Sequence, residues 1–151
     1  MFKLFDHYLA GEKLYTKTVL PVCKKHGLTY MEFTVLMFLA NNPQYDTASD
    51  IVKCKNLTKS HVSVSVHSLE QKGLLAGEYT VRNNKTVHLK VCADASGIVS
   101  EGRAAQQRFA ALLLEGLSTK ERAVMADLAK RIDANIQKYT RKGSVSSDAG
   151  Q

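Results

Sequence analysis

The sequence predicts a mostly α-helical chain with one small β-hairpin. Three observations carry this. Apolar residues recur at three- and four-residue spacing along most of the 151 residues. Two segments, Thr29-Tyr30-Met31-Glu32 and Ser118-Thr119-Lys120-Glu121, have the form of a helix capping box, in which the hydroxyl accepts from an early backbone N–H and the Glu reaches back. Two short alternating runs flank the polar turn Arg82-Asn83-Asn84-Lys85, where Asn tolerates the left-handed backbone of a tight turn. Trp is absent and Pro occurs twice, which does not suit a turn-rich β-sandwich.

The first helix is expected over residues 2–26, from Leu4, Phe5, Tyr8, Leu9, Leu14, Tyr15, Val19, Leu20, Val22 and Cys23, with a kink at Pro21 and a stop at Gly27. The second starts at Thr29, lines one face with Phe33, Leu36, Met37 and Ala40, and ends at Asn41-Asn42-Pro43. Thr47-Ala48-Ser49-Asp50 opens a short third helix, and Cys54-Lys55-Asn56-Leu57 turns the chain into a fourth. The fourth, Thr58–Lys72, carries two patterns. His61–His67 alternates with period two, which alone reads as a strand. Over the wider window Val62, Val66 and Leu69 fall at i, i+4 and i+7 between a Thr58 cap and a Gly73 stop, which favours a helix. Strands follow at Leu74–Tyr79 and Thr86–Val91. A long helix is expected over Asp94–Glu115, with Asp94 able to cap it, and Gly116 breaks it. A last helix places Val124, Leu128, Ile132 and Ile136 at spacing four, and residues 143–151 read as a disordered tail.

Residues 1–142 are therefore read as a single domain, with terminal helices at about 2–26 and 94–140 around a lobe at about 29–92. At this length the domain buries a core without disulfide staples. The longest apolar stretches, Phe33–Ala40 and Phe109–Leu114, are far short of the ~20 residues of a spanning helix. Asp6 and His7 interrupt any signal-peptide core. A cytoplasmic protein with no membrane partner is expected, and the three widely spaced cysteines, Cys23, Cys54 and Cys92, agree with it.

The net charge is +7, which favours an anionic partner. Residues 47–92 hold 7 basic and 3 acidic groups, more than half of the excess. Their order is short helix, turn, helix, two-stranded hairpin: a helix-turn-helix with a wing. The fourth helix is then the recognition helix, and double-stranded DNA the expected partner. Off the Val62/Val66/Leu69 stripe it offers Lys59, Ser60, His61, Ser63, Val64, His67 and Ser68, with no acidic residue to repel phosphate. Lys55 and Lys59 suit phosphate oxygens. Ser60 and Ser63 can donate to or accept from bases or phosphate. His61 can donate to guanine N7, and Val64 can pack on a thymine methyl. Lys85 adds charge at the wing tip.

The segments Leu28-Thr29-Tyr30-Met31-Glu32-Phe33-Thr34-Val35-Leu36, Thr58-Lys59-Ser60-His61-Val62-Ser63 and Leu69-Glu70-Gln71-Lys72-Gly73-Leu74 resemble the MarR family of dimeric winged-helix transcription regulators. Gly97 and Leu117-Ser118-x-x-Glu121 match its later helices, so the resemblance spans about residues 5–140. Three departures stand out. The wing tip lacks the family's Asp-Arg-Arg run, Val64 stands where the family often has Arg, and Ala93-Asp94 replaces a usual Leu-Thr. The resemblance implies a homodimer whose first and two last helices interlock, and a repressor that binds a pseudo-palindromic operator. It also implies release from DNA when a small aromatic or phenolic effector binds between the dimer region and the lobe. Tyr8, Tyr15, Tyr30 and Phe33 are the candidate lining of that site, and Arg82 is the minor-groove residue by analogy.

Two rival readings use the same residues. A winged helix can bind protein instead of DNA. A redox-sensing regulator would need a reactive thiolate, for which Cys23 beside Lys24, Lys25 and His26 is the candidate. No metal site is expected, since His61 and His67 are spaced for neither i+3 nor i+4 coordination. No cofactor and no enzymatic activity are expected either, because the chain has neither a nucleophile elbow nor a Gly-rich phosphate loop.

Overall fold

In the computed structural model, which describes residues 3–80 and 83–143, the elements run α1 (Lys3–Lys25), α2 (Tyr30–Asn41), α3 (Ala48–Lys55), α4 (Lys59–Gln71), β1 (Leu75–Thr80), β2 (Asn83–Val91), a 3-10 turn (Ala93–Ala95), α5 (Ser96–Leu113) and α6 (Thr119–Gly143). The chain divides into two compact units, residues 1–111 and 112–151. Residues 144–151 of the expected tail lie outside the described residues, and Gly143 belongs to α6.

Local chemistry starts each helix. Thr29 and Glu32 close a reciprocal capping box at α2, and Thr47 and Asp50 close another at α3. Thr58 accepts from the His61 N–H at 3.2 Å to start α4. At the far end of α4, Gly73 takes φ +69°, a conformation costly for any residue with a Cβ. It lets the Leu74 N–H reach the Leu69 carbonyl at 2.9 Å, so the helix ends and the chain turns into β1. The segment expected to be either strand or helix is thus helix throughout. Helix α1 runs continuously through Pro21.

Three boundaries differ from expectation. Helix α3 extends to Lys55, so Cys54 and Lys55 form its last turn; the turn proper is Asn56 to Thr58, with Asn56 left-handed at φ 51°. Strand β2 begins at Asn83, inside the segment read as a turn, and the register slips between Tyr79, which pairs with Val87, and Thr80, which pairs with Asn83. Asp94 falls within the 3-10 turn instead of capping α5.

The core of the first unit forms around α2. Glu32, Phe33 and Val35 through Leu39 are all buried, so α2 is enclosed on nearly every side, not on the single face expected. Val19 and Cys23 of α1, Ile51 of α3, Val62 and Leu69 of α4, Leu75 of β1, Leu89 of β2, and Ile98, Val99 and Ala105 of α5 complete it. Register pairs Leu75 with Val91 and Gly77 with Leu89, which sets these residues on one face of the hairpin and Glu78, His88 and Lys90 on the other. The hairpin is tied to the lobe where the Leu89 N–H donates to the Asp46 carbonyl at 2.6 Å and His88 Nδ1 meets the Asp46 carboxylate at 3.0 Å.

Helix α5 crosses α2 at Gly102. A Cβ there would lie 2.5 Å from Met37 Sδ and 3.1 Å from a Phe33 ring carbon, both belonging to fully packed side chains.

In the second unit, Ser118 and Glu121 form the expected capping box, and the Arg122 guanidinium donates to the Leu114 and Leu117 carbonyls. Val124, Leu128, Ile132 and Ile136 of α6 are each about half exposed.

One buried charge sits in the first unit. The Glu32 side chain is 6% exposed. Its Oε2 accepts from the Thr29 N–H at 2.8 Å and from Lys72 Nζ at 2.8 Å, and its Oε1 accepts from the Ser68 hydroxyl. Burial pushes the Glu32 carboxyl up, but the bonds from Lys72, Ser68 and Thr29 and the Lys72 charge outweigh it, and the net shift is downward.

Substituting Gly102 with Ala should cost about 1–3 kcal/mol by overpacking, measured by chemical denaturation. Gly97→Ala in the same helix, with nothing within 4 Å of the added Cβ, should cost nothing. A carboxyl depressed on folding contributes stability that is present above its ordinary value, near 4.5, and lost as pH falls through the folded value. The acid limb of the stability profile should therefore flatten in Glu32→Gln, as read by thermal midpoints between pH 6 and pH 3.

Candidate nucleic-acid interface

The polar face of α4 follows from its burial. Val62, Ser65 and Leu69 are buried, while Lys59, Ser60, His61, Ser63, Val64 and His67 are exposed, Val64 to 68%. Val66, expected in the buried stripe, packs against the core but is only half-buried, and Ser65 takes its place. Ser68, expected to face outward, is instead bonded to Glu32.

A helix advances about 100° per residue. Taking the mean direction of Val62, Ser65 and Leu69 as inward, Ser60, Ser63, Val64 and His67 lie within about 60° of outward, and Lys59 and His61 lie about 90° or more to either side. Ser60, Ser63, Val64 and His67 thus form a continuous outward strip, with Lys59 on one flank and His61 on the other. The strip holds two hydroxyls, an imidazole and an isopropyl group, which matches the donor, acceptor and methyl pattern of a major groove.

The Lys59 flank faces α3. A groove of about 480 Å³ runs between the two helices, lined by Ala48, Ser49, Val52, Lys53, Lys59 and Ser63. Two ammonium groups and two hydroxyls along one groove can bind phosphate oxygens. Ser49 and Lys53 were not singled out from the sequence, although their i, i+4 spacing on a capped helix was a signal that both share one face.

The remaining candidates divide. Arg82 lies outside the described residues. Lys85 lies on β2, but its side chain is outside the described set, as is that of Tyr8 on α1. Tyr15 and Tyr30 are brought together and line a cavity of about 130 Å³ with Thr34, Met37, Asn41 and Gln106. Gln106 Nε2 donates to the Tyr15 hydroxyl at 2.9 Å, and Asn41 Nδ2 donates to Gln106 Oε1 at 2.9 Å. Burial raises the Tyr15 phenol above its ordinary value, against the Gln106 bond, which keeps it protonated. Phe33 does not join them; it is fully buried in the core and is not part of this lining. Lys55 is exposed and belongs to the cavity lining, not to the α3–α4 groove.

Cys23 is 1% exposed, and burial pushes its thiol up against a backbone hydrogen bond. That disfavours the thiolate a redox sensor would need. Among the described residues no group of three or more His, Cys, Asp or Glu is placed to hold a metal ion, and no helix is long and apolar enough to cross a membrane.

The outward strip carries a direct test. Val64→Lys should change stability by no more than about 0.5 kcal/mol, whereas Val62→Lys, two residues away, should abolish cooperative thermal unfolding, because it buries an unpaired ammonium.

Comparison with known proteins agrees with this architecture. Residues 26–80 match the sequence model of the MarR family. A MarR-family transcriptional regulator from Listeria monocytogenes, complexed with a 26mer DNA, is 18% identical with a TM-score of 0.80, over 98% of this chain and 97% of that one. A SlyA-like transcription regulator from the same organism matches at the same identity, coverage and TM-score. BpsR of Bordetella bronchiseptica, whose DNA binding is regulated by 6-hydroxynicotinic acid, is 18% identical with a TM-score of 0.68, over 87% of this chain and 98% of that one. Residues 26–80, which hold α2, α3 and α4, thus resemble the MarR family in sequence, and the chain as a whole shares the fold of these solved structures.

Proposed function

We propose that this chain is a cytoplasmic transcription regulator that binds double-stranded DNA as a homodimer and represses from a pseudo-palindromic operator until a small aromatic or phenolic effector releases it. The observation that carries the DNA-binding part is the outward face of α4. Ser60, Ser63, Val64 and His67 are all exposed, no acidic side chain interrupts them, and Lys53 and Lys59 line the adjoining groove. Such a face meets base edges with its centre and phosphates with its flank. The Listeria relative crystallised on DNA supports the same role.

The second unit supports dimerisation. Val124, Met125, Leu128, Ile132, Ile136 and Tyr139 of one 25-residue helix are 43–65% exposed. An apolar row of that length on a basic, otherwise polar helix marks an association surface. A two-fold dimer presents two copies of α4 and so requires two half-sites about one helical turn, ~10 bp, apart.

The effector site is supported by the Tyr15/Tyr30 cavity. Its lining sets the rings of Tyr15, Tyr30 and Phe38 beside the polar groups of Asn41 and Gln106, which suits a small ring that carries polar substituents. Lys55 in its lining suits an acidic substituent on such a ring. The regulation of BpsR by 6-hydroxynicotinic acid, an aromatic acid, is consistent with this class.

Selection from a pool of random duplexes is the experiment. Recovered sequences should contain an inverted repeat with half-site centres about 10 bp apart. On that operator, Lys53→Ala and Lys59→Ala should weaken specific and random binding alike and lower the salt slope by about 1 each. Recovery of no common sequence, with binding that does not respond to salt, would end the proposal.

A further inference from the structure

The polar junction around Glu32 does more than cap α2. Its carboxylate joins two stretches of chain distant in sequence: the start of α2, through the Thr29 N–H, and the C-terminal end of α4, through the Ser68 hydroxyl and Lys72 at the C-cap. Lys72 Nζ makes a second bond, 3.0 Å to the Gly27 carbonyl in the turn that ends α1. Apolar packing of the same volume would hold two helices together as well as a buried ion pair, so strength alone does not account for it. What a directional, charge-assisted set of bonds adds is a defined orientation.

The placement on α4 makes that orientation relevant to DNA. Val64, Ser68 and Lys72 follow one another at four-residue spacing, so they stack along one flank of the helix and its C-cap. Val64 lies at the edge of the outward strip; Ser68 and Lys72, one and two turns on, are held by Glu32. The opposite flank, with Lys59 and Ser63, borders α3 across the groove. A rotation of α4 about its axis would break the Ser68 and Lys72 bonds before it exposed Val62 or Leu69, because apolar packing is not directional and these bonds are.

We infer that Glu32 is a positioning residue for sequence reading: through Ser68 and Lys72 it locks the rotational setting of α4, so that Ser60, Ser63, Val64 and His67 meet base edges in a fixed register. This rests on the reading of α4 as the recognition helix. Glu32 itself touches no DNA, since it is buried beneath the helix it orients. Its loss should therefore leave phosphate contacts intact and degrade only the discrimination between one base sequence and another.

The test uses the full chain and two DNAs: the duplex recovered by selection with the unmodified protein, and a random duplex of the same length. The quantity read is the ratio of the two affinities at fixed salt and at a temperature well below unfolding. Glu32→Gln and Ser68→Ala should each lower the ratio about tenfold, within the ~2- to 30-fold span of indirect coupling. Random-duplex affinity and its salt slope should stay the same. A triple variant, Ser60→Ala with Ser63→Ala and His67→Ala, serves as the direct-reading control. If only the triple variant lowers the ratio, the positioning role is wrong and the recognition-helix reading stands. If no variant lowers it, both are wrong. Equal loss on both DNAs in Glu32→Gln and Ser68→Ala would make the junction merely structural and overturn the inference. Should Glu32→Gln fail to fold, Ser68→Ala, which removes one bond from a part-buried hydroxyl, decides alone.

Discussion

A carboxylate taken out of water must be matched by donors or it neutralises, and Glu32 is the place where this protein meets that constraint. Three donors converge on it, and they come from the start of α2 and from the two ends of the Ser68–Lys72 segment. The consequence is architectural. Helix α2 cannot shift or turn without stranding a charge, and α2 is the element around which the first unit packs. Its Phe33 and Met37 receive α5 at Gly102, its N-terminus anchors the C-terminus of α4, and its last turn is held by Arg103, which donates to the Ala40 carbonyl at 2.8 Å and to Asn41. Once α2 and α4 are set relative to each other, the outward strip of α4 and its groove with α3 follow.

Much of this was legible in the sequence where the cause is local. The capping boxes at Thr29 and Ser118, the Thr58 cap and the Gly73 stop each depend on residues within a few positions of one another, and each forms as read. The ambiguity over His61–His67 also had a local answer, because caps at both ends of Thr58–Lys72 suit only a helix. What failed depends on distant partners. Ser68 looks like any exposed serine until Glu32, 36 residues away, is seen to accept from it. Ser65 is buried and Val66 is left at the edge of the core, because the surface that α4 packs on is supplied by distant α2 and α3. Strand β2 starts three residues early because pairing with β1 extends into a segment whose composition reads as turn.

The candidate site divides along the same line. The exposed run on α4 was visible from its lack of acidic and large apolar residues, a property of the helix itself. The aromatic candidates were not separable by type: Tyr15 and Tyr30 converge on one cavity, while Phe33, equally aromatic, belongs to the core. A helical apolar row says that something is to be covered and not what covers it. The row in α4 is buried within the first unit, and the row in α6 stays about half exposed.

If α4 reads the major groove, it does so with the strip of Ser60, Ser63, Val64 and His67. Methyl NMR on the protein bound to its selected duplex tests it most directly, since Val64 is exposed and carries two methyl groups at the edge of that strip. Intermolecular Overhauser contacts are expected from the Val64 methyls to major-groove protons, thymine methyls and cytosine H5 among them. Contacts from Val64 to sugar or minor-groove protons only, or none in a saturated complex, would contradict it.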